Sequence, residues 1–143
     1  MGIRERIIAS PDLQAARAAR NLDALAAGLN AQGVTAIQSR FVTLRTIEVE
    51  CADGDNIVSA LAGASTTNAL VGMFMSFLKQ DSGLDIGLAK TISAINSLSS
   101  GLSPVLTATQ AAQLKNMAMR PVIVTRLEVE AAMYNLDGSE KSA

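Results

Sequence analysis

The sequence predicts an all-α, single-domain protein of about seven or eight short helices around one central apolar helix. Three observations carry that prediction. Apolar residues recur at three- and four-residue spacing along most of the 143-residue chain, which is the period of a half-buried helix. Ser, Thr, Asn or Asp stands just ahead of these runs and Gly often just after, where side-chain oxygens start helices and left-handed residues stop them. The inventory is 49% hydrophobic but only 3% aromatic. Ala, Leu, Ile, Val and Met suit helices that approach one another closely.

Each element follows from local signals. Ser10-Pro11-Asp12 opens a helix to about Arg20, with proline at the first helical position. Asn21 caps Leu22 to Gln32, and Gly33 ends it. Thr35 and Gln38 have capping-box spacing and open a short turn or helix through Arg40. Thr43 caps Leu44 to Ala52, which Asp53-Gly54 ends, and Asp55 caps Asn56 onward to Leu61 or Ala64. Thr67 caps a helix over 68–80 that carries Leu70, Val71, Met73, Phe74, Met75, Phe77 and Leu78. Apolar nearly all round, it is expected to be the central, most buried helix.

Asp85 or Gly87 begins the next helix, through Leu98 to Ser100-Gly101. Capping boxes at Thr107/Gln110 and Thr125/Glu128 open helices to Met119 and to Tyr134. Between them Pro121 is a stop, and Val122-Ile123-Val124 is too short a β-like run to establish a sheet. The domain spans 1–138, and 139–143 reads as a flexible C-terminal tail. The likeness of 35–38 to 107–110, and of Glu48-Val49-Glu50 to Glu128-Val129-Glu130, has no fixed offset. Shared helix-start chemistry is the preferred account, with internal duplication as the alternative.

Composition excludes several classes of function. With no histidine, no imidazole serves as general base or metal ligand. A single cysteine, Cys51, allows neither an internal disulfide nor a cysteine zinc cage, and its acidic neighbours disfavour the thiolate. It reads as a core residue. A net charge of −1 argues against a phosphate-neutralising grip on nucleic acid. The uncharged stretches 56–78 and 91–114 are long enough to cross a bilayer, but their hydroxyls, amides and Pro104 favour core helices and no membrane span. Ile7-Ile8-Ala9 is too short for a signal core, so synthesis in the cytoplasm is expected.

The candidate chemistry dissolves on inspection. Glu48/Glu50 and Glu128/Glu130, two apart on helices, point away from each other. Asp53-Gly54-Asp55-Asn56 starts like a calcium loop, but Ala64 stands where the closing carboxylate is needed. Lys90 and Lys115 belong to no catalytic constellation. Met73, Met75, Met117, Met119 and Met133 read as core filler, with an adaptable binding groove as the alternative. No catalytic, cofactor-binding or metal-ligating residue emerges, and a non-enzymatic protein is expected.

Taken in order, Pro11-Asp12-Leu13-Gln14-Ala15-Ala16, the run Asp23 to Asn30, Gln80-Asp81-Ser82-Gly83-Leu84-Asp85-Ile86-Gly87, the Leu106 to Lys115 helix and Pro121-Val122-Ile123-Val124-Thr125 resemble small uncharacterised proteins of tailed bacteriophages. The resemblance covers most of the chain. It implies a virion or virion-assembly protein, made in the host cytoplasm and packed in several copies against other virion subunits, as a homo-oligomer or in a larger array. A soluble helical inhibitor, adaptor or chaperone is the alternative. Arg4, Arg6, Arg17, Arg20 and Tyr134 are the expected interface residues, because Arg and Tyr are enriched at interface centres.

Overall fold

Residues 1–142 are described in the computed structural model. Among them the chain forms α1 (Ile3–Ala9), a 3-10 turn (Pro11–Leu13), α2 (Gln14–Ala18), α3 (Leu22–Ala31), β1 (Thr35–Ile37), β2 (Phe41–Val42), α4 (Leu44–Glu50), α5 (Gly54–Ala64) and α6 (Ala69–Leu78). It continues through β3 (Leu84–Asp85), α7 (Ala89–Leu98), α8 (Ala108–Asn116), β4 (Met119–Pro121) and α9 (Arg126–Met133). The protein is therefore mostly helical but not purely so, which corrects the all-α expectation. Strands β1 and β4 pair with each other, and β2 pairs antiparallel with β3, Phe41 opposite Asp85 and Val42 opposite Leu84. The Thr35/Gln38 spacing is a helix-start signal that lost to this pairing, since a capping box stabilises a helix only where no partner strand competes.

The chain divides into two units, Met1–Thr35 with Pro121–Ala143, and Ala36–Arg120. The first has its own core of Ile7, Leu13, Leu25, Leu29, Val124, Val129 and Met133, each buried. Asn21 caps α3 by accepting from the Ala24 N–H at 3.0 Å. Thr125 and Glu128 form the expected capping box at α9. Asn30 uses both ends of its amide on one residue, donating to the Val124 carbonyl at 3.0 Å and accepting from its N–H at 2.7 Å. That satisfies the extended segment after β4 without a sheet. Residues expected as a tail are hydrogen-bonded here: Glu140 bridges to Tyr134, and the Lys141 N–H donates to the Met133 carbonyl at 2.7 Å. Ala143 lies outside the described residues.

The second unit packs α4 to α8 around Ile47, Ile57, Leu61, Val71, Phe74, Leu78, Ile86, Ile95, Leu106 and Leu114. Thr43 caps α4 in a box closed by Thr46, and Thr107 caps α8 in a box closed by Gln110. Helices α4 and α5 touch backbone to backbone at Gly54, where a Cβ would sit 2.7 Å from Glu48 Cα. Cys51 is buried between these helices and α8, its Sγ 3.4 Å from Met117 Sδ. Burial, with Glu50 adding to it, pushes the thiol pKa up. Helix α6 begins with Asn68, one residue after the expected cap, accepting from the N–H groups of Leu70 and Val71. It is not buried all round. Val71, Phe74, Met75 and Leu78 face the core, while Met73 and Phe77 stay exposed. No helix among the described residues is long and apolar enough to cross a membrane.

Candidate functional site

The expected interface arginines lie in the first unit, and the structure gives them internal work. Arg17 donates to Glu140 through Nε and Nη2, closing an ion pair, and its Nη1 reaches Gln14 at 3.1 Å. Arg4 Nη2 donates to the Lys141 carbonyl at 2.8 Å. Arg20 Nη1 donates to the Gly138 carbonyl at 2.7 Å, and its guanidinium lies 5.2 Å from the centre of the Tyr134 ring, within cation–π range. Arg4, Arg17 and Arg20 therefore converge on segment 134–141, which begins with the expected Tyr134, and clamp it. Arg6 goes elsewhere, to the Leu29 carbonyl and Gln32 Oε1 at the end of α3. The Arg17 hydrogen bond, against the opposing effect of burial, holds the Glu140 carboxyl below its usual range, helped by the charges of Arg17, Arg4 and Arg20.

Arg20 is also unusual in its backbone, with φ at 53°. A non-glycine residue there is uncommon and strained, and the Gly138 and Tyr134 contacts of its side chain help to hold it. Beside the clamp, Leu127, Glu130, Ala131 and Leu136 line a shallow concavity of about 550 Å³.

A different surface, in the second unit, has the makings of a binding site. The β2–β3 pair brings Phe41 alongside α6 and the start of α7, and between them opens a groove of about 480 Å³. All three phenylalanines of the chain line it. Phe74 forms its floor, whereas Phe41 is 64% exposed and Phe77 41%. Met73 on α6 and Leu88 ahead of α7 are about half exposed at its edges. Leu70, Leu84 and Ala94 complete an apolar wall. Single exposed apolar residues are ordinary, but several large ones around one concavity mark a contact surface.

Two polar features qualify that surface. Thr91, only 4% exposed, lines the groove from α7. Lys90, one residue earlier, stands exposed at the rim with no ion pair among the described residues. The rim is held in shape by Asp85. Its carboxylate accepts from Ser39 Oγ at 2.8 Å, the Arg40 N–H at 3.0 Å and the Gly87 N–H at 3.0 Å. Burial raises the Asp85 pKa, but these bonds together outweigh it and the net shift is downward. Gly83 completes the turn at φ +75°, where a Cβ would strike the Val42 backbone.

Among the described residues, no group of three or more His, Cys, Asp or Glu stands close enough to hold a metal ion. Glu50 is engaged with Arg40 at 2.5 Å, and Glu128 serves as a helix cap. Asp53 receives Gln110 Nε2 at 2.7 Å and Asn56 Nδ2 at 2.6 Å, which hold its pKa down. Met75, Met117 and Met133 are buried filler, and of the methionines only Met73 lines the groove. Comparison with protein-family models, curated proteins and solved structures found no match.

Proposed function

We propose that this chain is a non-enzymatic subunit of a tailed-bacteriophage particle, or of its assembly, and works by packing on other subunits in multiple copies. The observation that carries the reading is the open groove between β2–β3, α6 and α7, to which an aromatic-poor chain commits every phenylalanine it has. Aromatic and methionine side chains around a concavity are what the desolvated centre of a protein interface requires. Arg4, Arg17, Arg20 and Tyr134, by contrast, meet in contacts within the chain. The phage setting rests on the resemblance described above.

The test is mass spectrometry of gradient-purified particles beside the soluble fraction of the same lysate. A fixed ratio to a major particle protein is expected. Absence from particles with abundance in the soluble pool would overturn the particle role. A second reading, a soluble module binding one partner protein, draws on Met73 at the groove's edge, since an unbranched thioether adapts to varied surfaces. A stable one-to-one complex in the soluble pool would select it.

A further inference from the structure

We propose that segment 135–141 is a releasable strap, and that the arginine face it covers, Arg4, Arg17 and Arg20, docks an extended acidic peptide of a partner protein in its place. Every residue involved belongs to the first unit, so this site and the groove of the second unit stand or fall separately.

The strap is held by polar contacts alone. Met133 and Tyr134 pack on the core of the first unit, and the anchoring by apolar side chains ends there. Residues 135–139 are exposed, Leu136 fully so, and Glu140 and Lys141 are half-buried. The fastenings are the Glu140 carboxylate on Arg17, the Gly138 carbonyl on Arg20 and the Lys141 carbonyl on Arg4. The Lys141 N–H and Nζ add bonds to the carbonyls of Met133 at 2.7 Å and Ala131 at 2.5 Å. Within the strap, the Asn135 N–H donates to the Ser139 carbonyl at 2.8 Å, and the Asp137 carboxylate accepts from the Ser139 N–H at 2.9 Å. The turn therefore keeps its own bonds when the outer contacts break. Few buried apolar contacts and exposed hydrogen bonds mark a segment that opens locally, without the rest of the fold.

Closure also carries costs. Arg4 Nε and Tyr134 Oη are buried with no hydrogen-bond partner among the described residues. Both residues meet the strap, Arg4 at the Lys141 carbonyl and Tyr134 at its root, and opening admits water to them. Arg20 holds its left-handed φ of 53° while its guanidinium is engaged on Gly138 and Tyr134. Several modest contacts on one side and three local penalties on the other are the balance a switching segment needs.

The strap itself shows what the arginine face accepts: backbone carbonyls three residues apart, at Gly138 and Lys141, with a glutamate between them. Arg17 meets that carboxylate with two nitrogens of its fork, the charge-assisted geometry that selects carboxylates. Lifting the strap leaves Arg17 without its carboxylate and frees the nitrogens of Arg4 and Arg20 that held carbonyls. A peptide of the same pattern restores all three contacts. Glu130 lines the concavity beside Arg20 and disfavours a second negative charge at that end, so the carboxylate of the peptide belongs on Arg17.

The experiment is hydrogen exchange of the full chain, read at the Asn135 and Lys141 amides and across α3. In the wild type, the strap amides should exchange faster than α3 but slower than a free peptide of residues 135–142. Glu140→Arg sets a cation against Arg17 and should speed exchange of the strap at least about 5-fold with α3 unchanged; Glu140→Gln replaces it should that variant melt early. The peptide of residues 135–142 is then titrated against each chain and followed by the emission of the chain's single tyrosine, which the peptide lacks. It should bind the released chain saturably and at least about 5-fold more tightly than the wild type, whose own strap competes. An Arg17→Glu chain should not bind it. A strap that exchanges only together with α3, or as fast as the free peptide, overturns the strap. A released chain that binds the peptide no better than the wild type or the Arg17→Glu chain overturns the docking site.

Discussion

Two glycines on helix α5 should respond to the same substitution with opposite signs. Gly54 opens the helix with its Cα against α4. A methyl group built there lies 2.7 Å from Glu48 Cα and 2.9 Å from the Glu48 carbonyl oxygen, with the Ile47 oxygen closer still. All three are backbone atoms, so no side chain can swing aside and the helices must part. Overpacking of that kind costs about 1–3 kcal/mol, and the lost chain entropy of glycine returns only about 0.5–1 kcal/mol. The balance is destabilising, centred near about 1 kcal/mol and reaching at most about 2.5 kcal/mol, and each kcal/mol lowers the melting temperature of a cooperative unit of 60–100 residues by roughly 4–8 °C.

Gly63, near the other end of α5, has nothing within 4 Å of its Cβ position and no positive φ. Gly63→Ala should therefore stabilise by about 0.5–1 kcal/mol. The assay is thermal and urea unfolding of Gly54→Ala and Gly63→Ala beside the wild type, followed by circular dichroism. A Gly54→Ala protein as stable as the wild type would refute the close approach of α4 and α5. Equal effects at both sites would refute the argument that neighbouring backbone, rather than helix propensity, sets the sign.

Three further outcomes are expected. The buried Cys51 thiol, its pKa raised by burial and by Glu50, should react far more slowly with a disulfide reagent at mildly alkaline pH than the same thiol in urea; equal rates would place it at the surface. Glu140 has a folded pKa below its unfolded one, so its contribution to stability is present above the glutamate range and lost as pH falls through it. The difference in urea midpoint between wild type and Glu140→Gln, read from the single tyrosine in a chain without tryptophan, should be full at neutral pH and shrink through that range; a constant difference would contradict the clamp. Asp85→Ala leaves the Arg40 and Gly87 N–H groups without their acceptor and should cost about 1–3 kcal/mol in urea unfolding, with proteolysis appearing first between Ser39 and Gly87.

What could be read in advance was whatever a few neighbouring residues decide. The caps at Asn21 and Thr43 and the boxes at Thr107 and Thr125 form as expected, because a side-chain oxygen and an N–H three residues on are set by one turn of chain. Thr35 fails for the same reason in reverse. Its strand forms because β4, far along the chain, offers pairing that no local pattern announces. The arginines were chosen by residue type, and type does not reveal that segment 134–141 folds back to meet Arg4, Arg17 and Arg20. An acidic residue in an apparent tail was the available signal. Glu140 and the turn-forming Asn135-Leu136-Asp137-Gly138 were its two parts.

The groove was hidden by a similar assumption, that a helix apolar on every side must be buried on every side. Ten residues of α6 present more apolar surface than the second unit can cover, and the uncovered part holds Met73 and Phe77. Phe74 and Phe77 lie near one another by helical spacing alone, but Phe41 arrives only through the β2–β3 register. Residues chosen solely to fill a core would place the largest apolar side chains where water is excluded. Here Phe41 and Phe77 stand at the open edge while Ile47, Ile57, Leu61 and Ile95 fill the interior. Leaving them in water forgoes about 25 cal/mol for each Å² of apolar surface, a loss that a covering partner recovers on binding. The groove is thus better explained by what packs onto it than by the stability of the fold that carries it.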